Sequence, residues 1–276
     1  MSIFASLFLS PAKSLLIAAA VFIPFEHLAR LHPTQRTFRR GWGADVLTGL
    51  MNGLLLYGVM IIVFAQLDAV AAICIPGLRT WMDTRSIWTQ AVLAVVLGDL
   101  GVYGVHRLQH RVPWLWRFHA VHHSAEEMDW LVGFRFHAVD LFLIRVASLG
   151  PLVALHMTPA AIGIFIAISG WQGYLVHANV RVSYGPLRWL FVSPEFHHWH
   201  HSVERKTHDA NYASIVACWD VVFGTMHRAR GRQTARYGLD EPVPAGLARQ
   251  FFHPFRKQAG PLEVAQPLAD LPTRLT

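Results

Sequence analysis

The sequence predicts an all-α integral membrane protein with about five transmembrane or re-entrant helices and a cytoplasmic, histidine-rich helical cap. Three observations predict this class: the composition, long uncharged stretches, and histidines clustered where those stretches end. Of the 276 residues, 53% are hydrophobic and only 15% are charged, and the mean hydropathy is +0.33. Soluble domains carry about a quarter charged residues, so this chain has more apolar surface than a water-soluble fold accommodates.

Two uncharged stretches locate the first spans. Residues 46–67 carry no charge, which is long enough for a helix to cross roughly 30 Å of bilayer hydrocarbon. Residues 146–180 are also uncharged but contain Pro151 and Pro159. We therefore expect a hairpin of two short spans over 141–177.

Two further spans are expected over 3–25, as a retained anchor, and over about 87–105. Arginines cluster in the loop at 30–40, in 106–135 and after the hairpin. Because positive charge marks cytoplasmic loops, both histidine-rich stretches are expected on the cytoplasmic side. The net charge of +7 is then explained by topology and anionic lipid headgroups, and we expect no nucleic-acid partner.

The histidines have a helical spacing. Residues three and four apart share one face of a helix, so each histidine cluster can direct its imidazoles to one point. Neutral imidazole suits iron, zinc, copper and nickel, and eight imidazoles are too many for one tetrahedral zinc. The pattern predicts a histidine-dominated centre of two metal ions with open positions. The eight histidines are His106, His110, His119, His122, His123, His197, His200 and His201.

Three ordered motifs carry a family resemblance: HRLQH at 106–110, HAVHH at 119–123 and HHWHH at 197–201. They resemble the three histidine boxes of the fatty acid hydroxylase/sterol desaturase superfamily, whose members are membrane-embedded di-iron oxidases. Further matches are GFRFHAVD at 133–140, YLVHANV at 174–180, NYA at 211–213, WDVVFGT at 219–225 and, upstream, RRGWGAD at 39–45.

The resemblance implies that the eight box histidines are iron ligands and that His177 is a further one. In HHWHH the choice between His197 and His198 rests on the i, i+3, i+4 pattern, which favours His197. Other side chains could orient the ligand imidazoles or line the substrate pocket: Asp99, His137, His198, His208 and Asp220, with Asp140 and Glu195 as further carboxylates. For Asp99, a buried carboxylate paired with an arginine or a backbone group elsewhere is the alternative.

The function expected from the resemblance is O2-dependent hydroxylation of an unactivated C–H bond in a fatty acyl, sterol-like or related lipid. Desaturation at the same centre is the alternative. Two readings from other classes stay open: a zinc-dependent membrane hydrolase, which lacks an evident general-base glutamate, and a metal transporter, which would favour ligands near the bilayer midplane.

The expected cofactors are two iron ions, with O2 as cosubstrate and electrons from a separate ferredoxin- or cytochrome-type protein. A basic surface formed by Arg205, Lys206, Arg228, Arg230 and Arg232 is the expected dock for that donor. The expected location is the bacterial inner membrane. The expected regions are N-terminal spans with an interfacial segment (1–85), a catalytic domain (86–230) and a cytoplasmic tail (231–276). Cys74 and Cys218 are too few for a disulfide framework.

Overall fold

The computed structural model describes residues 11–204, 207, 209–227, 234, 236–240, 243 and 246–256. These residues form ten α-helices, and they contain no strand beyond three isolated β-bridges. The all-α membrane class is therefore confirmed. The helices are α1 (Pro11–Leu28), α2 (Trp42–Cys74), α3 (Pro76–Asp83), α4 (Ile87–Arg111), α5 (Pro113–His123), α6 (Ala138–Ala154), α7 (Pro159–His177), α8 (Pro194–His200), α9 (Cys218–Val222) and α10 (Leu247–Phe252).

Proline and hydroxyl side chains mark where several helices begin. Four of the helices that follow α1 start at a proline, where the missing N–H would have no helical partner. In α7 the Thr158 hydroxyl accepts a hydrogen bond from the Ala161 amide at 3.4 Å, and in α8 Ser193 accepts from the Phe196 amide at 3.2 Å. These caps satisfy amides that the first turn leaves open. The four prolines are Pro76, Pro113, Pro159 and Pro194.

Three helices, α2, α4 and α7, are long and apolar enough to cross a membrane. Their outward side chains are exposed and apolar, as Leu54 (76% exposed) and Ile73 (81%) illustrate. The predicted hairpin corresponds to α6 and α7, which are joined by a turn at 155–158. The expected total of five spans and the side of the membrane stay predictions.

Two boundaries differ from the expectation. The span expected over 46–66 belongs to a helix of 33 residues, about 50 Å long at 1.5 Å per residue, so α2 extends beyond the hydrocarbon layer. The span expected to end near 105 continues to Arg111. The first histidine box therefore lies on α4 itself and not in a polar segment after it, because the helical hydrogen-bond ladder continues through the polar residues.

Helix α4 is the centre of the bundle and packs against α5, α6 and α7. Two glycines allow this close packing. A Cβ atom at Gly101 would overlap the Ala147 carbonyl oxygen of α6, and one at Gly98 would overlap the Phe165 ring of α7. Small residues let helix backbones approach closely within membranes, so these positions set the distance between the helices that carry the site.

Some expected features lie outside the described residues. They are the N-terminal part of the first span, His208, most of the tail, and the five basic residues expected to dock an electron donor.

Gly101→Ala is expected to destabilise the protein, because the new methyl group overlaps the Ala147 carbonyl oxygen and separates α4 from α6. Gly104→Ala is the matched control, since a Cβ there meets no atom within 4 Å. Alanine favours a helix over glycine by about 1 kcal/mol, so the control should keep or raise the melting temperature. The measurement is the monodisperse fraction after heating in detergent. Equal loss in both variants would contradict this packing.

Candidate metal centre

The structure brings together all nine histidines that the sequence nominates. Helix α4 carries His106 and His110, α5 carries the three of HAVHH, and α7 ends at His177. Helix α8 supplies His197 and His200, with His201 directly after its last residue. Residues up to 95 positions apart therefore meet where the spans end.

The nine imidazoles form two groups, and all nine side chains are buried. Within each group, the nitrogen atoms that could bind a metal lie within 4.8 Å of one another. The first group is His106, His110, His119, His123 and His200. The second group is His122, His177, His197 and His201.

The second and third boxes each contribute to both groups, whereas we expected each box to direct its imidazoles to one point. Helical geometry explains this division. Positions i and i+4 differ by about 40° around a helix, and position i+3 lies about 60° to the other side of i. In α5 the i, i+4 pair His119 and His123 joins the first group, and His122 joins the second. At α8 the i, i+4 pair His197 and His201 joins the second group, and His200 joins the first.

Five imidazoles have their Nδ1–H held by an acceptor. Backbone carbonyls accept from four of them, at Nδ1–O distances of 2.6–3.2 Å, and a carboxylate accepts from His119. A carbonyl oxygen can only accept, so Nδ1 carries the proton and Nε2 keeps its lone pair. The donor–acceptor pairs are His106–Tyr212, His122–Arg135, His177–Gly173, His200–Ala210 and His119–Asp140.

The resulting lone pairs fit a metal ion. The Nε2 atoms of His122 and His177 are 3.2 Å apart, and His177 Nε2 is 3.0 Å from His197 Nε2. Because both His122 and His177 donate through Nδ1, their neutral Nε2 atoms cannot hydrogen-bond to each other and repel unless a cation lies between them. Imidazole nitrogens bound side by side to one ion at about 2.1 Å are about 3 Å apart.

The first group shows the same spacing and an unsatisfied atom. The Nε2 atoms of His119 and His123 are 3.1 Å apart, and the buried Nε2 of His106 has no hydrogen-bond partner among the described residues. Buried polar atoms without a partner are rare, so this nitrogen is also suited to binding a metal ion. Both groups therefore fit a metal that accepts imidazole.

Burial keeps four of these imidazoles neutral. The pKa values of His122, His123, His197 and His201 lie well below the ordinary value of 6.5. Burial is the larger cause, and neighbouring histidines are the smaller one. A neutral ring has a lone pair to donate, and an imidazolium does not. The protein therefore presents its metal-binding atoms without first having to remove protons.

Asp140 is a carboxylate that hydrogen-bonds one of the grouped imidazoles. Both of its oxygens lie 3.2 Å from His119 Nδ1, and it is fully buried in the first turn of α6. Gln109 donates its side-chain N–H to the same carboxylate, which holds the carboxylate towards the ring. A carboxylate on the far nitrogen orients a ligand imidazole and increases its basicity. The expectation that Asp140 hydrogen-bonds a box histidine is confirmed.

An ion-pair network supports the carbonyl that holds His122. Arg135 donates to Asp45 at 2.6 Å and to the Val121 carbonyl at 3.0 Å. Asp45 also pairs with Arg39 at 2.7 Å, and Arg39 pairs with Asp129 at 2.9 Å. All four charged residues are buried, and buried charges are tolerated when paired and hydrogen-bonded. The network joins the first turn of α2 to the 129–135 segment and so fixes the carbonyl beside His122.

Asp99 and Asp220 act through the loop at 210–217, and not on an imidazole. Asp99 accepts from the Ile215 and Val216 amides at 2.9 and 2.8 Å and from the Trp219 indole. Asp220 accepts from the Tyr212 and Ala213 amides. The hydrogen bonds of Asp99 therefore go to two backbone amides and an indole, and none of them goes to an imidazole. This loop carries the carbonyls that hold His106 and His200.

Two further candidates lie outside both groups. His137 caps α6, since its Nδ1 accepts from the Val139 amide, and its Nε2 donates to the Phe251 carbonyl. His198 turns away from its neighbour His197, and its Nδ1 lies 3.1 Å from the Tyr237 hydroxyl. Neither ring is hydrogen-bonded to the imidazole of a grouped histidine among the described residues; His137 holds the start of α6, and His198 contacts Tyr237.

Sequence reasoning missed Gln109 and the ion-pair network. A polar side chain between two box histidines was an available signal for Gln109. Sequence analysis used the arginines only to assign membrane topology. Acidic residues that could pair with them, such as Asp45 and Asp129, were an available signal for the network. The backbone carbonyls that hold the imidazoles had no sequence signal, because every residue has a backbone carbonyl.

Comparisons with known proteins agree with this site. The fatty acid hydroxylase family model matches residues 91–225, the segment that holds all nine histidines. An ornithine lipid hydroxylase from Rhizobium tropici is 32% identical, over 88% of this chain and 75% of its own length. No solved structure matches the chain.

Two other relatives are hydroxylating enzymes from animals. Human alkylglycerol monooxygenase is 29% identical over 63% of this chain, and rat cholesterol 25-hydroxylase is 23% identical over 59%. The chain spans 38% and 55% of these two relatives. The histidine motifs, their two buried groups and these matches agree: the chain belongs to the fatty acid hydroxylase family of iron-dependent membrane oxygenases.

Proposed function

We propose that this lipid hydroxylase inserts one oxygen atom of O2 into a C–H bond of a membrane lipid at two iron ions, one in each histidine group. The observation that supports this most is the pair of adjacent, buried imidazole groups, in which protein acceptors hold the Nδ1 protons of five of the nine rings. A hydrolase would need a general base beside its metal-bound water. Among the described residues, the carboxylate that hydrogen-bonds a grouped histidine is Asp140, and it is engaged by His119 and Gln109.

The iron ions, when bound, supply the chemistry that activates O2 and replaces C–H by C–OH, with two electrons and two protons reducing the second oxygen atom to water. The protein holds the ligand imidazoles in place through the carbonyls and Asp140, so that little reorganisation is needed. Its buried histidines lie in a space that excludes water, which protects the reactive centre. An acyl chain can reach that space laterally from the bilayer.

We propose a membrane lipid with a polar headgroup as the substrate, and ornithine lipid as the first to test, because the relative that covers 88% of this chain hydroxylates it. The electron donor we propose is a separate ferredoxin- or cytochrome-type protein. The proposed location is the bacterial inner membrane with the histidines on the cytoplasmic side. Arg39 and Arg135 are used in buried ion pairs, but the loop at 30–40 keeps three other arginines to support this orientation.

Expression in cells that make ornithine lipid, grown under isotopically labelled dioxygen, tests the reaction. We expect a lipid that gains one labelled oxygen atom, measured by mass spectrometry of extracted lipids. A lipid that loses two hydrogens and gains no label would identify desaturation. Lipids unchanged by expression, from cells whose purified protein contains iron, would contradict a lipid oxygenase with this substrate.

His197→Ala is expected to lower the iron content, which should be about two per chain in the wild type, because it removes a nitrogen from the second group. The matched control is the adjacent His198→Ala, whose side chain faces Tyr237 and should leave the iron content unchanged. Elemental mass spectrometry of protein from iron-supplemented cells measures both. If the two variants lost iron equally, the assignment of His197 would be wrong.

Asp140→Ala is expected to lower metal affinity or turnover by about 10–100-fold, the usual cost of removing the partner of a ligand imidazole. Asp140→Asn keeps an oxygen that can accept from His119 and should recover part of the loss. The measurements are iron retention against a chelator and lipid product formed. An alanine variant that behaves as the wild type would show that His119 needs no such partner.

A further inference from the structure

Helix α6 carries a charged side chain, Arg145, near the middle of an otherwise apolar sequence after its first turn. An arginine at this depth of a membrane protein is costly, and such residues usually face the interior and have a partner. Sequence analysis assigned no role to Arg145, although a charge within an expected span is itself a signal.

Arg145 lies on the inward face of α6. It precedes Leu149 and Leu152 at i+4 and i+7, and both leucines are fully buried, so all three share one helical face. Side chains on a helix lean towards its N-terminus, which in α6 is the end where Asp140 contacts His119. The guanidinium therefore extends towards the histidine groups and not towards the lipid.

No protein group neutralises Arg145 among the described residues. It forms no ion pair or side-chain hydrogen bond with them, and its ionisable neighbour among them is Tyr174 of α7. The Tyr174 hydroxyl likewise has no hydrogen bond within the described part of the chain. Its ring is held by stacking on Phe134, with centroids 4.9 Å apart and planes 11° apart. Both side chains are half-buried, so small polar groups can reach them.

Arg145 and Tyr174 come from the two helices of a hairpin, α6 and α7, and the hairpin is open at the end near the histidines. Helices α6 and α7 are joined by a short turn, yet each packs on α4 and the two make little backbone contact with each other. Tyr174 lies one turn before His177, and Arg145 lies five residues after Asp140, about 7.5 Å along the helix axis. The two donors thus lie between the arms, just below the histidine groups.

We propose that Arg145 and Tyr174 bind the anionic headgroup of the lipid substrate, a carboxylate or a phosphate, in the space between α6 and α7. This rests on the proposed function and specifies its substrate class. A guanidinium binds either anion through two parallel hydrogen bonds, and the tyrosine hydroxyl adds a third donor. Because Arg145 and Tyr174 lie so close to the histidines, the carbon that is hydroxylated lies within a few bonds of the headgroup and not at the end of an acyl chain.

The test is lipid competition in nanodiscs that contain equal amounts of an N-acyl amino acid, phosphatidic acid and a neutral alkylglycerol. The full-length, iron-loaded protein is re-extracted and its retained lipids are measured by mass spectrometry. We expect the wild type to retain one of the two anionic lipids preferentially, and the one retained distinguishes carboxylate from phosphate. Arg145→Gln should lose this preference by about tenfold or more, the value of a charge-assisted hydrogen bond.

Three variants sharpen the result. Arg145→Lys keeps the charge but not the paired geometry, so its preference should be intermediate, and Tyr174→Phe should lose a smaller part. If Arg145→Gln does not fold, these two decide the test. The matched control is Arg188→Gln, which removes an exposed arginine outside the hairpin and should retain the full preference.

Two results would overturn the proposal: anionic lipid retained equally by the wild type and every folded Arg145 variant, or preferential retention of the neutral lipid by the wild type. Failure of the proposed function is measured separately, by labelled oxygen in the lipids. Lipid retention that depends on Arg145, with no labelled product, would support headgroup binding by Arg145 and contradict the proposed hydroxylase function.

Discussion

The hydrogen bonds that hold the imidazole Nδ1 protons are the interaction on which the site depends. They choose the tautomer of five of the nine imidazoles, and that tautomer leaves the Nε2 lone pair of each of the five in the buried space. Without these acceptors, the five rings could instead donate their protons to neighbouring imidazoles. With them, the five Nε2 lone pairs are available to a metal ion, and each histidine group could hold one.

The acceptors are held in turn by groups further from the metal-binding atoms. Asp99 and Asp220 fix the loop that presents the Tyr212 and Ala210 carbonyls, and the buried ion pairs of Arg135 fix the carbonyl beside His122. The cost of burying these carboxylates and guanidiniums is offset because each is paired or accepts several hydrogen bonds. These buried charged residues therefore hold backbone in position.

Helix packing connects this polar cap to the bilayer. Glycines on α4 bring α6 and α7 close to a common axis, while the two arms stay apart from each other. The same arrangement carries the histidines at one end of the bundle and places Arg145 and Tyr174 next to them, further along α6 and α7. It exposes apolar side chains on the outside of the bundle. A lipid can thus approach the site from the hydrocarbon phase without opening the cap to water.

The sequence by itself determined the helical membrane class, the nine histidines that come together, and the family. Hydropathy and helical spacing are local properties of the sequence, and three short motifs carry the family resemblance. The sequence did not determine how the boxes divide between two groups, since that depends on how helices face one another across the bundle. Nor did it show the partners of the imidazoles: His106 meets a carbonyl 106 residues away, and backbone carbonyls have no sequence signature. Arg145 was visible as a charge, but only the tertiary structure showed which way it faces and that no described group neutralises it.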